Sequence, residues 1–209
     1  MKHKGILVLA RHGQSEGNAH NIFTGWRDLP LTAAGRHEAS RIALALQDAK
    51  YPINRVFCSH LRRAIESAEI IAETLDKHLP VSSDDALNER DYGELTGMNK
   101  IEAANRFGEE QVHQWRRSYE MSPPGGESLK DTKERVLPYY LDTILPGLER
   151  GENILIVAHG NSLRALIMYL EKLTPSQIIN LELKTGEIVF YQIDENGNAT
   201  RIPDIRATI

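Results

Sequence analysis

One phrase occurs twice in this chain. Ile6-Leu7-Val8-Leu9-Ala10-Arg11-His12-Gly13 and Ile154-Leu155-Ile156-Val157-Ala158-His159-Gly160 are apolar runs that each break at a histidine-glycine pair. Unbroken runs of leucine and β-branched residues of this length read as strands covered on both faces, which is the habit of a parallel sheet. In open parallel sheets the crevice beyond the carboxyl ends of the strands is where ligands bind. Two imidazoles far apart in the chain are thereby brought to one rim.

The residues between and around these runs supply what such a sheet needs on its faces. The polar, glycine-dotted stretch up to Pro30 is too irregular for a helix. Ala33, Ala39, Ile42, Ala43 and Leu46 then recur at helical spacing behind Thr32 as N-cap, and Tyr51-Pro52 ends the pattern. Arg55–Cys58 reads as a short strand, with Ser59 capping a helix to about Leu75 and a further strand near Leu79–Val81. Residues 84–98 carry no period and read as an ordered loop. A helical stretch from about Lys100 to Tyr119 is interrupted near Gly108. Pro123-Pro124-Gly125-Gly126 is a loop, and Ser128 opens a helix toward Leu148. After the strand at 154–158 come a helix from Ser162 to Leu173 and a hairpin, Glu187–Ile193 and Thr200–Ile202, turning at Glu195-Asn196-Gly197. Strands alternating with helices give an α/β fold, a three-layer α/β/α sandwich with a mainly parallel central sheet, expected as one domain over residues 1–209.

Composition narrows the partners. The content is 41% hydrophobic and 26% charged with a net charge of −4, and neither a basic stripe nor a long charge block is present. That argues against nucleic-acid and membrane-surface binding. The single cysteine, Cys58, excludes an intramolecular disulfide, fits a reducing cytosol and reads as a small core residue. The apolar opening at Ile6–Ala10 is shorter than a signal h-region, and no segment is long enough to span a bilayer. The expected location is the cytoplasm.

Arg11-His12-Gly13 at a strand end suits phosphorus chemistry. Neutral imidazole attacks phosphorus without prior deprotonation, arginine binds phosphoryl oxygens through a planar fork, and glycine lets the backbone approach an anion. A lone histidine of this kind is commonly structural; a second, His159, at a matched strand end and a helix start tips the balance toward an anion site. Arg63, at another strand-to-helix junction, is a phosphate candidate, whereas Arg62 reads as solvated. The simplest reading of Glu89 and Arg90 is an exposed ion pair, and of Arg116-Arg117 a basic helix face packed on Trp115. No metal-ligand spacing, phosphate-binding P-loop, dinucleotide fingerprint or nucleophile elbow is present.

Arg11-His12-Gly13-Gln14-Ser15-Glu16-Gly17-Asn18, Phe23-Thr24-Gly25-Trp26, Ser59-His60-Leu61-Arg62-Arg63-Ala64, Leu87-Asn88-Glu89-Arg90-Asp91-Tyr92-Gly93, Gln114-Trp115-Arg116-Arg117 and Ala158-His159-Gly160-Asn161-Ser162-Leu163-Arg164 together resemble the 2,3-bisphosphoglycerate-dependent phosphoglycerate mutases of the histidine phosphatase superfamily. The resemblance covers nearly the whole chain. It implies His12 as the nucleophile that becomes phosphohistidine, with Arg11, Arg63 and His159 clamping the phosphoryl group. Ser15, Asn18, Thr24, Gly25, Gly160 and Asn161 would line the pocket, and Glu89 would move a proton to and from the substrate hydroxyl. Tyr92, Lys100, Arg116 and Arg117 would hold the far end of a phosphoglycerate. It further implies 2,3-bisphosphoglycerate as primer, no metal, and a homo-oligomer, dimer or tetramer. Longer members carry an extra segment where Gly125-Gly126 here joins Pro124 directly to Glu127, and a polar tail beyond the last strand. The expectation is therefore a short form. The competing readings are a phosphatase for a small phosphorylated metabolite, which needs His12, Arg11, Arg63 and His159 but not Arg116-Arg117 with Lys100, and a non-catalytic phosphate-binding protein.

Overall fold

The computed structural model describes residues 5–202. Its strands β1 (Gly5–Arg11), β2 (Arg55–Ser59), β3 (Val81–Asp84), β4 (Ile154–Ala158), β5 (Ile188–Ile193) and β6 (Ala199–Arg201) form one sheet in the order β3-β2-β4-β1-β5-β6. Neighbours from β3 to β1 are parallel, while β5 and β6 add antiparallel. The two repeated apolar runs are β1 and β4, paired at the centre with Arg11 opposite Ala158.

Successive strand residues face opposite layers. Leu7, Leu9, Ile154, Ile156 and Ala158 pack against Val136 of α6 (Leu129–Tyr139) and Leu163, Leu166 and Ile167 of α8 (Gly160–Leu170). Ile6, Val8, Ala10, Leu155 and Val157 pack against Ile42 and Leu46 of α2 (Ala33–Asp48) and Ile71 of α3 (Arg62–Leu75). Each such leucine, isoleucine or valine contributes about 1.5–3 kcal/mol on burial, which is why both runs are apolar at every position. This is the expected three-layer α/β/α sandwich. Cys58 lies in the second layer's core, and burial pushes its thiol up to about 12. Among the described residues no helix is long and apolar enough to cross a membrane.

Several elements differ from the sequence reading. A one-turn helix, α1 (Glu16–Ala19), stands where none was expected, closed by a Ser15–Asn18 capping box. Strand β3 starts at Val81, at the exposed edge where alternation leaves no apolar mark. The helix after β2 is capped by Leu61 rather than Ser59, and α8 starts two residues before Ser162, with His159 at its N-cap. The helix from Ser128 is not continuous: with Pro138 inside it, it passes through a π turn at Tyr140–Ile144 into α7 (Leu145–Glu149). A short helix, α9 (Pro175–Ile178), was not foreseen. The break between α4 (Lys100–Phe107) and α5 (Glu109–Arg117) falls at Gly108, whose φ of 88° suits glycine.

Candidate active site

The His12 backbone N–H extends the central ladder by donating to the Ala158 carbonyl at 3.0 Å, so the first imidazole leaves the sheet beside the second. The rings stand edge to face, 4.8 Å between centroids, and both are buried. The next residue, Gly13, lies directly on the first turn of α2. A Cβ added at Gly13 would stand 2.0 Å from the Gly35 carbonyl oxygen, so only glycine permits the loop to sit there.

The His12 Nδ1 lies 2.6 Å from the Gly13 carbonyl oxygen. A carbonyl only accepts, so the ring proton is on Nδ1 and the Nε2 lone pair is free to attack. Burial, then Arg63 and Arg11, hold His12 well below the usual imidazole pKa, against an opposing effect from the Gly13 bond. His159 is held low by burial and by Arg63, His12 and Arg11 in turn. Its Nε2 is 2.5 Å from Ser59 Oγ, which also accepts the Leu61 N–H. With its hydroxyl engaged by His159, Ser59 does not cap α3, whose N-cap is Leu61. The buried Nδ1 of His159 has no protein partner.

Around the two rings the charge is strongly one-sided. Arg63 is buried and donates to the Gly25 and Arg27 carbonyls at 2.9 Å; burial lowers it to about 10, still cationic at neutral pH. Arg11 donates to the Leu183 carbonyl and leaves its buried Nε unpartnered. A cavity of about 180 Å³ is lined by Arg11, Glu89, Lys100, Arg116, Arg117, Gly160, Asn161, Arg164, Glu182 and Leu183; His12, His159 and Arg63 are buried and do not line it. Hollows of about 330 and 430 Å³ lie elsewhere and contain none of the expected site residues. Burial, then Arg116 and Arg11, lower Lys100.

Glu89 and Arg90 are not an exposed pair. Both are buried, and Glu89 Oε1 accepts backbone N–H groups of Arg90 at 2.8 Å and Asn161 at 3.1 Å. Arg90 turns away, lies 4.9 Å over the Tyr92 ring and donates to the Arg116 carbonyl, with Nε and Nη1 unpartnered. Arg164, which sequence reasoning missed, is also buried: it donates to Asn161 Oδ1 and the Ile178 carbonyl, and burial with Arg90 and Arg117 lowers it to about 10. Its signal was one arginine inside the otherwise apolar α8. Glu182, also unforeseen, pairs with Arg117 at 3.3 Å. Buried cationic donors without partners are costly unless an anion completes them.

The other expected residues divide between cavity wall and support. Asn161 Nδ2 donates to the Tyr92 hydroxyl at 3.0 Å, tying the two together. Arg116 and Arg117 close α5, and the neighbouring Trp115 packs on Phe107 rather than on them. Ser15 donates to Asn18 Oδ1 at 2.8 Å, and both neighbour the His12 loop as parts of a helix cap. Thr24 is buried against Gly17, and Gly25, with φ of 50°, presents its carbonyl to Arg63. Among the described residues no group of three or more His, Cys, Asp or Glu side chains is placed to hold a metal ion.

Residues 7–203 match the histidine phosphatase superfamily, branch 1. The chain is 54% identical over 189 residues to the 2,3-bisphosphoglycerate-dependent phosphoglycerate mutase of Afipia carboxidovorans, covering 90% of this chain and 91% of that one. It is 50% identical over 201 residues to the enzyme of the same name from Azorhizobium caulinodans, covering 96% and 98%. Among solved structures, a mycobacterial hydrolase superposes with a TM-score of 0.85 at 24% identity, over 95% of this chain and 97% of that one. A mycobacterial glucosyl-3-phosphoglycerate phosphatase superposes with a TM-score of 0.81 at 25% identity, over 94% and 96%.

Proposed function

The chain belongs to the histidine phosphatase superfamily and, within it, to the 2,3-bisphosphoglycerate-dependent phosphoglycerate mutases, and on that premise we propose that it interconverts 3-phosphoglycerate and 2-phosphoglycerate. The observation that carries this reading is one cavity that brings Arg11 and Gly160, the chain neighbours of His12 and His159, together with Lys100, Arg116 and Arg117. A single phosphate needs only Arg11, Arg63 and His159. The second group of cations suits a substrate with another anionic end.

The unpartnered Nε donors of Arg11 and Arg164, both on the cavity wall, fit an anionic, doubly phosphorylated primer. When bound, 2,3-bisphosphoglycerate supplies the phosphoryl group that charges His12. The residues of the chain do the rest. His12 attacks in line through Nε2, with Nδ1–H held by Gly13. Arg11, Arg63 and the Nδ1 of His159 stabilise charge growing on the equatorial oxygens, from positions already fixed by carbonyls and by Ser59. Glu89 takes the proton from the glycerate hydroxyl as the phosphoryl group leaves His12, and returns it in the reverse transfer. Lys100, Arg116, Arg117 and Tyr92 hold the other end while the intermediate turns over.

The reading also takes the enzyme to be cytoplasmic and a dimer or tetramer of identical chains; light scattering on the eluted protein tests the latter. The activity is tested with 3-phosphoglycerate in the presence and absence of catalytic 2,3-bisphosphoglycerate, coupling 2-phosphoglycerate formation to a dehydrogenase readout. Isomerisation stimulated by the bisphosphate is expected. Release of inorganic phosphate without isomerisation refutes the mutase and leaves a phosphatase.

A further inference from the structure

The segment that carries Glu89 has no periodic pattern, only two 3₁₀ turns at Asp85–Leu87 and Gly93–Leu95. It is held from outside by an ion pair. Arg135, on α6, donates through Nη1 to the carbonyls of Asp85 at 3.2 Å, Ala86 at 2.9 Å and Asn88 at 3.2 Å, and through Nη2 to that of Glu89 at 3.3 Å. The same guanidinium pairs with Glu127 through two bonds, Nε to Oε1 at 3.1 Å and Nη2 to Oε2 at 2.8 Å. Glu127 in turn accepts the Asp91 N–H at 3.0 Å, and its own N–H donates to the Asp91 carbonyl at 2.9 Å. Arg135 thus grips the chain before and at residue 89, and Glu127 grips it two residues after. Trp26 completes the arrangement: its indole N–H donates to the Glu89 carbonyl, and its ring lies 5.6 Å from the Arg135 guanidinium.

Neither Arg135 nor Glu127 lines the cavity. Their bonds go to backbone around the one carboxylate that must meet a substrate hydroxyl in both directions. Only a guanidinium fork serves four carbonyls and a carboxylate at once; a lysine is a point charge and cannot. From this we propose that Arg135 and Glu127 are positioning residues for Glu89, setting where its carboxylate stands during proton transfer. The inference rests on the reading of Glu89 as the proton carrier.

A two-by-two mutant cycle on the full chain tests it, using the bisphosphate-primed interconversion assay. Misplacing a reacting group by 1 Å can cost about 10²-fold, so Arg135→Lys is expected to lower kcat about 10–100-fold, with KM for 3-phosphoglycerate changed less than about threefold. In a Glu89→Gln background the same change is expected to cost less than about threefold, because no transferable proton remains to be misplaced. Glu127→Gln, which keeps an acceptor for the Asp91 N–H but loses the charge facing Arg135, gives the same pattern at smaller amplitude, and it decides the matter if Arg135→Lys does not fold. Equal fold-losses in the two backgrounds overturn the proposal alone and make the pair a fold element. Near-normal kcat for Glu89→Gln by itself overturns the reading of Glu89 and takes the proposal with it.

Discussion

Acidifying the protein from pH 7.5 to 5.5 should destabilise it through its two buried imidazoles, His12 and His159. Burial, then Arg63 and the other neighbouring cations, holds both His12 and His159 well below 6.5 in the folded state, whereas in the unfolded chain each titrates near 6.5. Below that value the unfolded chain binds protons that the folded chain refuses, so stability falls as pH falls, in the window from about 6.5 downward. In the limit where the folded rings stay neutral throughout, the effect one unit below the unfolded pKa is RT ln 11, on the order of 1 kcal/mol per histidine, and at pH 7.5 it is negligible. The pair therefore accounts for a loss of at most about 3 kcal/mol across the interval, a sizeable share of a typical total of about 5–15 kcal/mol. Urea denaturation of the wild type and of the His12→Asn, His159→Asn and double variants at both pH values measures it. The buffer must contain no phosphate, since a bound anion offsets the arginines. Each single variant should lose less on acidification than the wild type, by up to about 1 kcal/mol, and the double variant should lose the least. Equal losses in the wild type and the double variant would refute the argument, whatever the absolute stabilities.

Four further outcomes are expected. His12→Ala should abolish turnover, and acid-labile label trapped on the wild type should map to His12; label on another residue removes it as nucleophile. Arg116→Ala or Arg117→Ala should raise KM for phosphoglycerate roughly 10–150-fold, the loss of one charged hydrogen bond, and far more than it slows phosphorylation of His12 by a small aryl phosphate; equal damage to both would place the pair in the phosphoryl clamp. Glu89→Gln should lower transfer to the glycerate hydroxyl about 10²–10⁴-fold while 2,3-bisphosphoglycerate still binds, as titration calorimetry would show. Gly13→Ala must push the His12 loop off α2, because its Cβ meets the Gly35 carbonyl at 2.0 Å; a stability loss of about 1–3 kcal/mol with impaired phosphoenzyme formation is expected, and normal values of both would show that the loop can shift freely.

The parts of this molecule that sequence makes legible are those whose causes are local. The β1 and β4 runs announce themselves because they are buried on both faces, and the histidines that end them follow automatically. Thr32 caps α2 as read, and Gly108 breaks α4 from α5 as read. The reading fails where a remote partner sets the outcome. Arg90 looks like the partner of Glu89, yet it is enclosed under Tyr92, and backbone N–H groups take its place at the carboxylate. Ser59 has the chemistry of a cap, but His159, distant in sequence, claims its hydroxyl. The 84–98 segment shows no period because Arg135 and Glu127, far along the chain, give it its shape. Helices of one turn, α1 and α9, are too short to leave a pattern.

The excursion between β3 and α6 carries Glu89, Tyr92, Lys100, Arg116 and Arg117, while His12 and His159 are borne on the hydrogen-bonded centre of the sheet. Such a layout is modular. On the proposed assignment, a gene segment exchanged between Asp84 and Leu129 would replace the proton carrier and the grip on the distal anion together, and leave His12 and His159 on their original scaffold. Divergence among proteins of this fold then has a cheap route: new substrates can arise by recombination or by drift within that excursion, with no need to rebuild the transfer step. An engineer could follow the same route, provided the graft brings its own counterpart of Glu127 to meet the scaffold's Arg135 and hold the new acid in place.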